Sequence, residues 1–195
     1  NSNITIAQCI FTNNTASHGG GMSNFNSKPA VEDCTFSSNT ASDGGGMKSS
    51  TSSNPTITGC TFTNNDADWF GGRMCNNGSC SPILINCAFL NNTAGSEGGG
   101  LYSYNNGSAT LTNCTFEYNH ALNGGGISTY ASDPTLTNCI FRNNTADDGG
   151  GMYSSSWDIN YSSPTLINCT FTNNNATDGG GGMVNSISAP TLTNC

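Results

Sequence analysis

The stretch Val31-Glu32-Asp33-Cys34-Thr35-Phe36-Ser37-Ser38-Asn39-Thr40-Ala41-Ser42-Asp43-Gly44-Gly45-Gly46-Met47 decides the fold. Its apolar residues Val31, Cys34 and Phe36 follow a period-two alternation that slips once, between Val31 and Cys34. An extended chain that slips by one residue has turned a corner, and Asp33, at the slip, tolerates a left-handed backbone. Asn39 marks a second bend and Gly44-Gly45-Gly46 a third, where backbones pass closely or adopt positive φ. Met47 then resumes the apolar pattern. The stretch reads as one coil of three short strands.

The same grammar recurs along the whole chain. Cysteines stand at Cys9, Cys34, Cys60, Cys87, Cys114, Cys139, Cys169 and Cys195, 25 to 30 residues apart. Two residues after each of the first seven comes Phe (Phe11, Phe36, Phe62, Phe89, Phe116, Phe141, Phe171), five after comes Asn, and seven after comes Ala. The corner position is Gln8, Asp33, Gly59, Asn86, Asn113, Asn138, Asn168 or Asn194. A coil of this length cannot bury its own apolar face, but stacked coils put Phe on Phe and Cys on Cys around one narrow core. The expected fold is therefore all-β, a parallel β-helix of about seven coils of 25–30 residues. It forms a single domain over residues 1–195, with a partial coil at 1–9. Leucine-rich repeats, the competing architecture, need a helical half that the glycine runs oppose.

Composition excludes several function classes. Of the 195 residues, 25 are Gly and 30 are Asn, and 8% are charged, so a core of amphipathic helices is ruled out. A net charge of −8 with four basic residues opposes phosphate binding, and nucleic acid is not expected as a partner. No apolar run reaches the length of a membrane span, so membrane insertion by this segment is not expected either.

F-x-x-N followed by G-G-small-apolar, as in Phe36-Ser37-Ser38-Asn39 with Gly44-Gly45-Gly46-Met47 and the equivalents in the other coils, resembles the chlamydial polymorphic outer-membrane protein repeats. The wider resemblance is to the right-handed parallel β-helix surface proteins of bacteria. It covers essentially the whole chain and implies a right-handed β-helix displayed outside the cell with an adhesive role. The chain has Gly where that pattern commonly has Ala as third residue of the glycine motif.

Ten cysteines suit an oxidising compartment. The eight ladder cysteines should point inward, and both inter-coil disulfides and a column of reduced thiols fit their stacking. Cys75 and Cys80 lie outside the ladder in one loop and are expected to form a local disulfide.

Candidate sites are few. Asp147, Asp148 and Asp178, from consecutive coils, form a weak Ca²⁺ candidate; no other cofactor is expected. No acid, base and nucleophile converge, so the chain is not expected to be an enzyme, a polysaccharide lyase or hydrolase being the residual alternative. Tyr102, Tyr104, Tyr130, Tyr153, Trp157 and Tyr161 fall between the glycine cluster and the following Pro in coils four to six. Stacking would bring these rings to one side of the rod, where they suit a sugar or a protein partner, or cover loop backbone. Thr56/Thr58, Thr110/Thr112, Thr135/Thr137 and Thr191/Thr193 resemble an ice-binding array, broken by Ile83/Ile85 and Ile167. Among the N-x-Ser/Thr sequons, Asn13, Asn91 and Asn143 flank an exposed bend and are candidate glycosylation sites, whereas Asn113 and Asn168 sit at the corner expected to face inward. The chain opens and stops in the same phase of a coil, so end-to-end self-association into a filament is one expectation and a longer parent protein the other.

Overall fold

A computed structural model describes residues 3–71, 74–157 and 162–195. Among these residues the chain is a parallel β-solenoid of about seven coils without helices. Strands pair in parallel with their equivalents one coil away, in register except for a bulge between Ala67 and Phe70.

Each coil supplies up to four strand segments rather than three. The Leu face runs from Thr5–Ala7 to Thr191–Thr193 in eight strands, and the Phe face from Ile10–Thr12 to Thr170–Thr172 in seven. The Met face runs from Met22–Phe25 to Met183–Ser186, also in seven. The extra segment begins at the Thr-Ala step: Thr15–His18, Thr40–Asp43, Asp66–Phe70 and Thr93–Ala94 form a short Ala face, and Thr145–Ala146 pairs separately with Asn175–Ala176. The Asn before this step anchors the chain so firmly that the next two residues run extended and pair with the neighbouring coil.

Left-handed bends recur at three fixed positions of the repeat, and a further one follows the Met face in most coils, at Asn26, Thr51, Ser79, Asn105 and Ala131. The Leu-to-Phe corner has φ from 49° to 54° at Asp33, Asn86, Asn113, Asn138 and Asn168. These corner side chains face solvent, not the interior. Asn113 and Asn168 are thus exposed, because a left-handed residue between two inward-pointing neighbours throws its own side chain outward. The asparagines stack there, Asn138 Nδ2 donating to Asn113 Oδ1 at 3.1 Å.

The second bend falls one residue before the repeated Asn, at Asn13, Ser38, Asn64, Asn91, Tyr118, Asn143 and Asn173. The repeated Asn itself is buried at Asn39, Asn65, Asn92, Asn119 and Asn144. Asn92 Nδ2 donates to Phe62 O at 3.1 Å and to Asn119 Oδ1 at 2.9 Å, and the ladder continues from Asn14 to Asn174. The third bend needs glycine: Gly44 has φ +65°, and a Cβ at Gly100 would lie 2.5 Å from Gly126 O and 2.8 Å from the Phe116 ring.

One continuous core fills the rod. Its centre is the phenylalanine column, with neighbouring ring centroids 4.1 to 6.0 Å apart and planes within 25°. Val31, Ile57, Leu84, Leu111, Leu136 and Leu166 pack beside it, with the cysteine column between. Fully burying each Phe contributes about 2–3 kcal/mol.

Candidate functional site

Alternation on the Met face sends Met47, Met74, Leu101, Ile127 and Met152 into the core and the following residue outward. Lys48, Cys75, Tyr102, Ser128 and Tyr153 therefore stand in one outward column, each in register with the next. Two residues on, Ser50, Asn77, Tyr104, Tyr130 and Ser155 form a second column. The residue before each left-handed glycine forms a third, in the order His18, Asp43, Phe70, Glu97, Asn123 and Asp148. Residues of all three columns border a groove of about 660 Å³.

Aromatic rings run along this groove. Phe70 and Tyr102 stack at 5.2 Å, Tyr102 and Tyr104 at 6.1 Å, and Tyr104 meets Tyr130 at 5.6 Å with planes tilted by 33°. Trp157 meets Tyr130 at 5.1 Å and 59°, and is itself 83% exposed. Five of the expected rings, Tyr102, Tyr104, Tyr130, Tyr153 and Trp157, are thus brought together in one groove. Tyr161 lies outside the described residues. The rings do cover one another in part, since Tyr102 is buried, but Trp157 leaves one wall open. The Tyr130 hydroxyl is hidden from solvent and has no hydrogen-bond partner in the protein.

Two carboxylates border the same groove. Asp43 Oδ2 accepts from Lys48 Nζ at 2.9 Å and lies 3.2 Å from His18 Nδ1, so its charge is matched locally. Glu97 has no cation beside it among the described residues. Its carboxylate accepts from Ser128 Oγ at 2.5 Å and Asn123 Nδ2 at 2.8 Å. Burial pushes its pKa above the usual glutamate value, against the smaller lowering by Ser128 and then Asn123. Glu97, Phe70 and Asn77 escaped the sequence reading. Aligning the coils on the left-handed glycine, rather than on cysteine, places Glu97 in the same column as Asp43, two coils on with Phe70 between them, and reveals it.

No disulfide joins any two of the ten cysteines. The expected Cys75–Cys80 disulfide is not formed. Cys75 points outward beneath Tyr102 and Lys48, whereas Cys80 occupies a buried slot two residues before Pro82, equivalent to Ser53, Ser132 and Ser162. Alternation on the strand Met74–Asn77 turns Cys75 outward, and the left-handed turn at Gly78 and Ser79 carries Cys80 back to the interior. Burial pushes the Cys75 thiol up to about 12, so it is a poor nucleophile. In the ladder, thiols cap carbonyls: Cys87 Sγ lies 3.4 Å from Ile85 O and 3.5 Å from Ile57 O. Cys9 and Cys195 are the exposed members.

Asp147, Asp148 and Asp178 do not assemble into a metal-holding group among the described residues. Asp147 Oδ1 accepts from Thr177 Oγ1 at 3.1 Å, while the Asp148 carboxylate lies against Gly179. The pair sits on a bend where both backbone N–H groups donate to Leu122 O, and the two carboxylates turn to different neighbours. Asn13 and Asn91 are exposed and Asn143 is half-buried, all three at the second bend. The outward threonines of the Leu face form a column interrupted by Ala30 and Ile83.

No curated protein and no solved structure matches the chain. A family model described as right-handed beta helix region matches residues 1–95 and 68–195. Two matches that overlap and together span the coils, over a solenoid whose strands pair in parallel at every step, place this chain in the right-handed β-helix family.

Proposed function

We propose that the chain is an extracellular adhesive solenoid that holds a glycan along the groove of its Met face. The observation that supports this is the row of rings from Phe70 through Tyr102, Tyr104 and Tyr130 to Trp157, which crosses four consecutive coils. Rings with a polar tip stack on the apolar face of a pyranose while their hydroxyls bond its hydroxyl groups. Coils repeat every ~4.8 Å, close to the rise of one sugar in an extended β-linked chain, so successive rings meet successive sugars.

Surface display rests on the resemblance to the chlamydial repeats and not on the cysteines, eight of which are buried and serve as small core residues. The same reading assigns the groove no catalysis. Asp43 is held by Lys48 and His18, and the Cys75 thiol stays protonated.

The test is retention of the purified chain on immobilised polysaccharides, compared with Trp157→Ala. Retardation that the substitution abolishes supports the reading. Equal retention of both proteins, or no retention on any matrix, refutes it. Appearance of new reducing ends in the eluted sugar would replace it with a polysaccharide-cleaving activity.

A further inference from the structure

We infer that the groove selects glycans bearing free amino groups, with Glu97 as the residue that recognises the ammonium. This rests on the glycan-binding reading above and names its substrate class. Three observations support it. Among the described residues that border the groove, the charged ones are Asp43 and Glu97, and neither Lys nor Arg is present. Asp43 is neutralised by Lys48, which leaves the Glu97 carboxylate as the net charge of the site. Glu97 is fixed in place by Ser128 and Asn123, and it lies in register with Phe70, one coil below, whose ring stacks on Tyr102.

An ammonium group set against Glu97 would meet a carboxylate and the faces of neighbouring rings together, the combination that favours cations over neutral groups. Uronic acids would meet an unbalanced negative charge and are disfavoured. The Tyr130 hydroxyl, one coil beyond Glu97, is buried, so this residue meets an adjoining sugar with its ring rather than with its polar tip.

The experiment is a fluorescence titration with hexamers of β-linked glucosamine, N-acetylglucosamine and galacturonate at neutral pH and fixed salt. The glucosamine hexamer should bind about tenfold or more tightly than the acetylated one, the difference expected of one charge-assisted hydrogen bond. Glu97→Gln should erase that preference, while Asp178→Asn, which removes an equal charge outside the groove lining, should keep it. Circular dichroism confirms that each variant is folded. Equal affinity for the glucosamine and N-acetylglucosamine hexamers, or an equal loss in Asp178→Asn, overturns the inference and leaves the groove as a glycan site, provided Trp157→Ala still weakens binding. Binding of none of the three, or binding indifferent to Trp157→Ala, overturns both.

Discussion

Asn65 and Asn92 are joined twice over: the Asn92 Oδ1 atom accepts from the Asn65 backbone N–H at 3.0 Å and from Asn65 Nδ2 at 3.1 Å. The same Asn92 donates through Nδ2 to Phe62 O. One buried amide thus serves the backbone of one coil and the side chain of another. Asn92→Ala deletes this acceptor and donor inside the core and should cost on the order of 3 kcal/mol or more in urea unfolding, because buried groups lose partners that water cannot replace. A loss below 1 kcal/mol would show that the ladder is ornamental to stability.

Asn76 and Ser103, in successive coils of the Met face, have buried polar atoms without partners. Elsewhere a hydroxyl network fills this part of the interior, as where Ser162 Oγ donates to Ser132 O at 2.6 Å and Ser154 Oγ donates to Ser162 Oγ at 3.0 Å. Cys80 and Gly107 take the serine's place in the two coils where partners are missing. Cys80→Ser should therefore raise stability by about 1 kcal/mol, read as a higher urea midpoint at unchanged slope. A lower midpoint would mean that the sulfur's packing outweighs the hydroxyl.

Glu97 makes stability depend on pH with a definite sign. Its folded pKa lies above the ordinary 4.5, chiefly through burial, so the ionised form is disfavoured in the folded state. The folded protein is unpenalised below 4.5 and loses stability as pH rises through the raised value. Glu97→Gln should consequently be more stable than the wild type at neutral pH, with the difference vanishing in acid. The neighbours facing this carboxyl are Ser128, Asn123, Phe70 and the Tyr102 phenol, with Asp43 and Asp148 two coils away on either side. Paired thermal melts across pH 4 to 8 check this, and a gap that widens in acid would contradict the assignment.

Thiol accessibility divides the cysteines sharply. Native-state alkylation at neutral pH should modify Cys9 and Cys195 quickly and leave the other eight protected until the chain unfolds. Peptide mass spectrometry reads the pattern. Rapid labelling of Cys75 or Cys114, whose thiols are pushed up to about 12, would show that the coils open locally.

Much of the solenoid was legible because its repeat is long enough to expose a register. Cysteine, Phe two residues on and Asn five residues on fix which residues stack, and stacking alone predicts the phenylalanine column and the parallel pairing. The direction in which polar corner residues point was not legible. Asn86, Asn113 and Asn138 look outward because a left-handed φ near 54° reverses the side chain relative to its neighbours, a backbone fact that composition does not encode.

The site divided along the same line. Tyr102, Tyr104, Tyr130, Tyr153 and Trp157 were recognisable as one face by their shared place in the repeat. Glu97, Phe70 and the separation of Cys75 from Cys80 were not, since each depends on which side of a strand a residue faces and on how the coils align across the glycine bend. The coil, its period and the column that fills it are written in the repeat, because burial rewards identical residues stacked in register. The groove emerges only on folding, where rings from one side of the glycine bend meet a carboxylate from the other, because that meeting is set by bend geometry between residues whose roles do not repeat.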